Sequence, residues 1–355
     1  MKLPSSLLVL DLSSVLAGPS VGSFFAELGA RVIKWENLRA GGDVTRSWRL
    51  ATEPSDSPVS AYFSSVNFGK EIEQVDLSAP DSQQRLQQLL GEADVLIQNY
   101  KPSDLVKFGL DPETLKQRYP KLIHCHLTGF RSHPDRVAYD VVLQAETGFM
   151  SMNGTPESGP VKMPVALIDV LAAHQMKEAI LLALYRREQT QLGAYLTVTL
   201  EEAALSALTN QASNYLMAGA IAKRIGSQHP NIAPYGDLFT AADGTELVLA
   251  VGSDRQFIEL CEVLAITALA ADQRYATNAN RVKNRSSLVH ALSEAIGAIN
   301  GHDFLEQCHR LRIPAGEIKS IDRVLHQSLA QELIRHEMID GVPTQRLSSV
   351  AFREE

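Results

Sequence analysis

The chain has 355 residues, of which 45% are hydrophobic and 21% charged, and its formal net charge is −8. This length predicts two domains, and this composition excludes a disordered chain. The acidic balance argues against a nucleic-acid-binding surface, and no segment approaches the ~20 apolar residues needed to span a membrane. Three scattered cysteines predict neither a disulfide framework nor a zinc site. We therefore expect a cytoplasmic protein without a bound metal.

Strand-like and helix-like segments alternate in the N-terminal part of the chain. The predicted elements, in order, are strands at 6–12 and 31–36 around a short helix ended by Gly29, a helix at 81–92 before a strand at 94–100, and a helix at 112–118 before a strand at 122–130. Asp11 interrupts the first apolar run, which favours a strand over a signal peptide. The alternation predicts a parallel sheet with helices on both faces, whose ligands bind beyond the carboxyl ends of the strands. Only Gly18 and Gly22 follow the first strand, so the glycine pattern of a nicotinamide-binding loop is missing.

Asp169 stands where an apolar run passes into a long helical pattern within residues 164–188. Apolar side chains recur there at three- and four-residue steps, and good helix formers dominate the segment. An aspartate at a helix start accepts main-chain N–H groups and gains from the helix dipole, so we expect it to stay ionised at neutral pH. From these residues alone, Asp169 is more often a helix cap than a catalytic group.

The composition changes at 226–235, GSQHPNIAPY, which is polar and rich in turn formers. Alternating residues at 238–251 then predict a hairpin with Asp243–Gly244 as its turn. Three helical patterns follow at about 254–264, 284–299 and 302–311, before a last strand or loop and a final helix. The segment therefore predicts a separate, smaller α+β domain.

A series of short stretches runs in one order across about residues 5–325. They include DLSSVLAGP, ELGARVIKWE, GGDVTR, ADVLIQNYKP, GLDPETL, YPKLIHCHLTGF, AYDVVLQAETGFMSMNG, GSQHPNIAPYGDLFTAADG, VGSDRQFIELCEVL, ATNANRVKNR and IPAGEI. Together they resemble the class III CoA-transferases of the CaiB/BaiF type, the family of formyl-CoA and carnitine CoA-transferases. The resemblance implies an α/β fold with a Rossmann-like large domain over 1–200, completed by 330–355. It also implies a linker helix at 201–225, a small α+β domain at 226–325, and an intertwined, ring-like homodimer.

The resemblance makes Asp169 the catalytic nucleophile, which takes CoA from an acyl-CoA donor and passes it to a carboxylic acid through anhydride and thioester intermediates. CoA and acyl-CoA are then substrates, and no cofactor is permanently bound. By position, it assigns CoA contacts to Val15, Leu16, Ala17, Arg39, Asn99, Tyr100 and Lys107, and substrate contacts to Tyr139 and Asp140.

Three departures from the family pattern bear on this assignment: 67–72 lack two arginines, 131–135 replace a glycine-containing loop, and a usual closing tail is missing before Glu355. An acyl-CoA racemase or epimerase on the same scaffold would need a histidine and an aspartate as opposed bases. Tyr139 stands where that histidine is expected, and 251–257 lack the expected glutamate, which favours transfer. A non-catalytic CoA-binding protein is the remaining alternative.

Overall fold

A six-stranded parallel sheet organises the first part of the chain in the computed structural model, which describes residues 2–3 and 6–354. Its strands are β1 Leu8–Asp11, β2 Arg31–Asn37, β3 Glu71–Val75, β4 Val95–Gln98, β5 Ile123–Thr128 and β6 Ala194–Thr199. The spatial order is β3-β2-β1-β4-β5-β6, and each neighbouring pair is parallel. The predicted parallel sheet is confirmed, and β3 is a strand that the sequence analysis did not predict.

Helices cover both faces of this sheet. The helices of this part of the chain are α1 Ala17–Glu27, α2 Ala61–Ser65, α3 Pro80–Glu92, α4 Pro102–Lys107, α5 Pro112–Arg118, α6 Asp140–Glu146, α7 Phe149–Met152, α8 Leu167–Thr190, α9 Leu200–Ser206 and α10 Thr209–Ala218, of which α1 and α8 pack on one face and α3, α4 and α5 on the other. Alternate residues of a strand point to opposite faces, so Val9 joins the apolar cluster under α1 and α8. Its neighbour Leu10 joins the cluster under α3, α4 and α5. Burial on both faces explains why β1 is a continuous apolar run.

A second compact unit consists of Met152–Val161 and Lys223–Gln327. It contains the antiparallel strands β7 Tyr235–Thr240, β8 Glu246–Ala250 and β9 Ala315–Glu317, and the helices α11 Asp254–Val263, α12 Thr267–Ala271, α13 Asn278–Lys283, α14 Arg285–Gly297, α15 Gly301–Leu311 and α16 Ile321–Leu325. The predicted hairpin and its three main helices are confirmed. α12 and α13 are additional short helices.

The first unit comprises the described residues up to Ser151, together with Lys162–Ala222 and the chain from Ser328. Its last elements are α17 Ser328–Leu333 and a hairpin of β10 Ile334–Ile339 and β11 Val342–Leu347. Ile339 of this hairpin packs with Val59 and Phe63 of α2. The segment 201–225, predicted as a linker, carries most of α9 and all of α10. The outer limits of the predicted large domain, residues 1 and 355, lie outside the described residues.

Candidate active site

The strand order reverses between β1 and β4, and five of the seven predicted CoA residues meet at this point. The Ser14 main-chain N–H donates to Asn99 Oδ1 at 3.1 Å, and Asn99 Nδ2 donates to the Ser14 carbonyl at 3.0 Å. These bonds join the segment after β1 to the segment after β4. A crevice at such a reversal is where open α/β sheets bind ligands. The fold therefore brings Val15, Leu16, Ala17, Asn99 and Tyr100 to one edge of the sheet.

We call residues 13–17, which lead from β1 into α1, the CoA loop, because the sequence analysis predicts CoA contacts for Val15, Leu16 and Ala17. Val15 has φ of +75°, a left-handed conformation that is rare for a β-branched residue. Its main-chain N–H donates to the Asp43 carboxylate at 3.2 Å. α1 then begins at Ala17 with no side-chain cap and no acidic residue in its first turn. The open N–H groups at this helix start suit an anionic group such as a phosphate.

Two buried ion pairs lie beneath the CoA loop. Lys34 Nζ is 3.4 Å from Asp43 and donates to the Ser13 carbonyl at 2.7 Å. Lys70 Nζ binds Asp11 at 2.8 Å and also donates to the side-chain oxygen of Asn67 at 3.0 Å. Burial lowers the pKa of Lys70 to about 8. Segment 67–72 lacks two arginines of the family pattern but keeps Asn67 and Lys70, which support the loop through Asp11.

A cavity of about 220 Å³ opens at the carboxyl ends of β1, β2 and β4, and Ser14, Lys34 and Tyr100 are among the residues that line it. Gly42 closes one side with φ of +100°, and a Cβ atom there would lie 2.6 Å from Glu36 Oε2. Only glycine therefore fits this position without displacing Glu36. Burial raises the pKa of Tyr100 to about 12, so its phenol stays protonated.

The two predicted basic contacts lie further out. Arg39 follows β2 with its side chain 67% exposed, and its Nε donates to Asp76 at 2.9 Å. Lys107 is exposed at the end of α4, with Nζ 5.1 Å from the Phe108 ring centroid. That ring lies 5.5 Å from the ring of Tyr100, which connects Lys107 to the strand ends only indirectly. The roles of both residues in CoA binding stay predictions.

Asp169 is the third residue of α8 and is only 8% exposed. It is not the cap of this helix, since Ala166 occupies that position. Asp140 Oδ1 instead accepts the Ile168 N–H at 2.6 Å and the Asp169 N–H at 3.4 Å. Burial, and then the charge of Asp140, raise the pKa of Asp169 to about 7. The sequence predicts that Asp169 stays ionised at neutral pH, whereas a pKa of about 7 leaves it only partly ionised there, because burial disfavours the charged form.

Three aromatic side chains, Trp48, Tyr62 and Tyr139, form what we call the aromatic wall. The ring of Trp48 meets that of Tyr62 edge-on at 5.1 Å and lies 6.3 Å from that of Tyr139. Burial raises the pKa of Tyr62 to about 12, and the charges of Asp169, Asp140 and Asp43 add to the shift. The phenol of Tyr62 is therefore within electrostatic reach of both the candidate nucleophile and the carboxylate behind the CoA loop.

Sequence reasoning missed several of these groups. Asp43 carries a weak signal, since it follows the glycine pair after β2 and hence the carboxyl edge of the sheet. Trp48 is one of two tryptophans and comes soon after. Tyr62 lies on α2 with no motif around it. Lys34 stands inside an apolar strand, and a buried lysine there predicts a carboxylate partner.

No group of three or more His, Cys, Asp or Glu side chains is placed to hold a metal ion in the part of the chain that the structure describes. Within the same residues, no helix is long and apolar enough to cross a membrane. Cys125, Cys261 and Cys308 are buried free thiols.

A family model described as CoA-transferase family III matches residues 5–352. The succinate–glutarate CoA-transferase of Agrobacterium fabrum is 38% identical over 326 residues, which cover 90% of this chain and 81% of the relative. The succinyl-CoA:glutarate CoA-transferase of Mus musculus is 34% identical over 336 residues, covering 92% and 75%. The crystal structure of a CAIB/BAIF family protein from Brucella suis, 36% identical, superposes with a TM-score of 0.82 and covers 98% of this chain and 91% of that chain. These matches cover both compact units of the chain.

Proposed function

Because this chain belongs to the CoA-transferase family III and is a CoA-transferase, we propose that it moves CoA from an acyl-CoA donor to a carboxylic acid through intermediates on Asp169. The observation that carries the proposal is the buried carboxylate of Asp169 in the first turn of α8, with a pKa of about 7. A carboxylate in this setting is poorly solvated, and its pKa lies near the pH at which a nucleophile must act.

In the proposed reaction, an Asp169 oxygen attacks the thioester carbonyl of the donor, and the carbon–sulfur bond breaks to release CoA as a thiolate. The thiolate attacks the Asp169 carbonyl of the resulting anhydride, which frees the donor acid and leaves CoA as a thioester on Asp169. An acceptor carboxylate then attacks this thioester and releases the thiolate again. The thiolate finally attacks the acceptor's acyl carbon, which regenerates the Asp169 carboxylate without a net proton.

The surrounding residues support each part of this scheme. We propose that the open N–H groups at the start of α1, together with Asn99 and Tyr100, bind CoA at the sheet edge. Asp140 holds the first turn of α8, which fixes the direction of the nucleophile. The aromatic wall gives the acid substrates an apolar surface beside Asp169. No resident cofactor is needed, since each step exchanges acyl oxygen and sulfur bonds.

We propose small dicarboxylic acids as substrates, because the relatives from Agrobacterium fabrum and Mus musculus are named for succinate or succinyl-CoA and glutarate. Succinyl-CoA with glutarate is the first pair to test. The buried free thiols suit a reducing compartment, so we propose that the enzyme acts in the cytoplasm.

We also propose the intertwined homodimer. Three consecutive side chains of α10, Tyr215, Leu216 and Met217, are 58%, 77% and 88% exposed. An apolar surface of this kind favours association in water. Light scattering should give twice the mass of the chain, and a monomer that transfers CoA would contradict the dimer without affecting the proposed reaction.

The decisive experiment incubates the protein with succinyl-CoA and measures its intact mass and the mass of the peptide that contains Asp169. We expect a CoA adduct on that peptide, its removal by hydroxylamine, and its absence from Asp169→Asn. Transfer to glutarate should disappear in the same variant. Deuterium exchange at the α-carbon of a chiral acyl-CoA without CoA transfer would instead identify a racemase. CoA binding without either reaction across a wide donor and acceptor panel would identify a non-catalytic protein.

A further inference from the structure

We infer that Asp43 is a positioning residue that holds the CoA loop on one side and the turn carrying Trp48 on the other. The inference rests on the proposed function and deepens it, since it names the group that fixes the position of the CoA loop relative to the aromatic wall. Asp43 is among the residues that line the cavity at the sheet edge, and its carboxylate is held by donors of Val15 and Thr45. It acts through Val15 and Thr45.

Asp43 contacts both the CoA loop and the turn that carries Trp48. The carboxylate is 5% exposed and accepts the Val15 N–H at 3.2 Å. It also accepts the Thr45 N–H at 3.1 Å and the Thr45 hydroxyl at 2.8 Å, and Lys34 Nζ lies 3.4 Å away. Lys34 also binds the Ser13 carbonyl at 2.7 Å, so the ion pair reaches the CoA loop at two points. A carboxylate with this many donors fixes their relative positions.

Val15 shows why the loop needs this support. Its φ of +75° brings Cβ close to the main chain, and a β-branched side chain makes the conformation more strained. Such strain persists only where surrounding contacts impose it. The hydrogen bond from Val15 to Asp43 is one of those contacts, and the Ser14–Asn99 pair is another. Without Asp43 we expect Val15 to relax and the start of α1 to lose its prepared geometry.

The second connection runs to the aromatic wall. Thr45 lies in a short 3-10 helix, Val44–Ser47, for which Asp43 is the N-terminal cap. The Trp48 N–H donates to the Thr45 carbonyl at 3.1 Å, so the residue after this helix takes its position from Thr45. A single buried carboxylate therefore sets the geometry of the CoA loop and the backbone of Trp48.

Asp43→Asn tests this because the amide keeps the size but has only one acceptor oxygen. Its NH₂ group must face either Lys34 or one of the N–H donors, which breaks the arrangement. Asp94→Asn is the matched control. Asp94 also accepts a main-chain N–H, that of Leu8 at 2.8 Å, and pairs with Arg187 at 2.8 Å, but it lies at the amino end of β1, away from the CoA loop.

The experiment measures the dissociation constant of free CoA by calorimetry on the full chain, with thermal unfolding in parallel. We expect Asp43→Asn to weaken CoA binding about tenfold, on the scale of the strain at one left-handed residue. Asp94→Asn should lower stability to a similar degree and leave CoA affinity within about twofold. Equal affinity of Asp43→Asn and wild type, or an equal loss in Asp94→Asn, would overturn the inference.

A double-mutant cycle with Val15→Gly provides the readout that a purely structural role would not change. Glycine adopts positive φ without strain, so its conformation depends less on Asp43. In the Val15→Gly background, we expect Asp43→Asn to weaken CoA binding by about threefold or less. The same tenfold loss in both backgrounds would show that Asp43 does not act through Val15.

Thr45→Val tests the connection from Asp43 to Trp48. This test does not require the Asp43→Asn variant to fold. It removes the hydroxyl bond to Asp43 and leaves the Lys34 pair intact. We expect KM for the acid acceptor to rise several-fold while CoA affinity stays within about twofold. Unchanged kinetics would overturn the link to Trp48. A wild-type protein that binds CoA but transfers none would refute the proposed function, whereas the binding comparisons would still decide the role of Asp43.

Discussion

Asp140 Oδ1 lies 3.4 Å from the main-chain nitrogen of Asp169, and the same oxygen accepts the Ile168 N–H at 2.6 Å. One carboxylate therefore caps the helix on which the other is placed, and its charge opposes ionisation of its neighbour. Here the cap both orients the candidate nucleophile and adjusts its pKa.

The pH dependence of transfer should follow Asp169. Its pKa of about 7 predicts that kcat/KM for acyl-CoA rises as the pH passes through about 7, because only the carboxylate attacks the thioester. Asp140→Asn removes the nearby charge and should move the midpoint to lower pH. Steady-state rates across the pH range check both expectations. A midpoint that is unchanged in Asp140→Asn would show that this charge has no influence on the nucleophile.

The raised pKa of Asp169 should also make the stability of the protein depend on pH. Stability should fall with rising pH, whereas the rate of transfer should rise. The pKa of Asp169 is raised from an ordinary 3.8, so the ionised form destabilises the fold. Below pH about 4 the Asp169 carboxyl is protonated and does not destabilise the fold. This contribution to stability is lost as the pH rises through about 7, where the buried carboxyl ionises. Asp169→Asn should therefore raise the free energy of unfolding at pH 8 by a few kcal/mol, at about 1.4 kcal/mol per pKa unit. Urea unfolding at pH 4 and pH 8 tests this, and an equal effect at both values would contradict it.

Trp48→Ala should affect the acid acceptor more than the CoA donor. The change removes the ring that contacts both Tyr62 and Tyr139, so the aromatic wall loses its central member. We expect KM for the acceptor to rise about tenfold, the scale of one lost aromatic contact. CoA affinity should change little. Equal effects on acceptor and CoA would argue against a wall for the acid substrate.

Arg281 should be essential to the stability of the second unit. It is completely buried, donates to the carbonyls of Ala233 and Tyr275 at 2.8 and 3.0 Å, and pairs with Asp254 at 2.7 Å. Arg281→Met leaves these acceptors without a donor and should lower the free energy of unfolding by about 3 kcal/mol. The exposed Arg255 of α11 is the matched control, and its replacement by Met should have no measurable effect. Denaturant unfolding of both variants tests the comparison.

The elements that could be predicted from the sequence are those with a strong local period. The apolar run of β1 and the long helix around Asp169 fall into this class, and both are confirmed close to their predicted positions. β3 was missed because it lies at the sheet edge and only Ile72 and Val75 of its five residues are apolar, which is too short a pattern to indicate a strand. The β10–β11 hairpin was missed because half of its residues face solvent and its partner, α2, lies far away in the sequence.

The sequence by itself determined the alternating α/β order, the family and the place of Asp169 at the start of α8. These depend on neighbouring residues, whose periodicity and motifs are visible in one dimension. Only the tertiary structure decided that Asp140 caps this helix and that Asp43 supports Val15. It also placed Tyr62 near both Asp169 and Asp43. It also decided the protonation of Asp169, because desolvation and the charge of a residue 29 positions away exist only once the chain has folded.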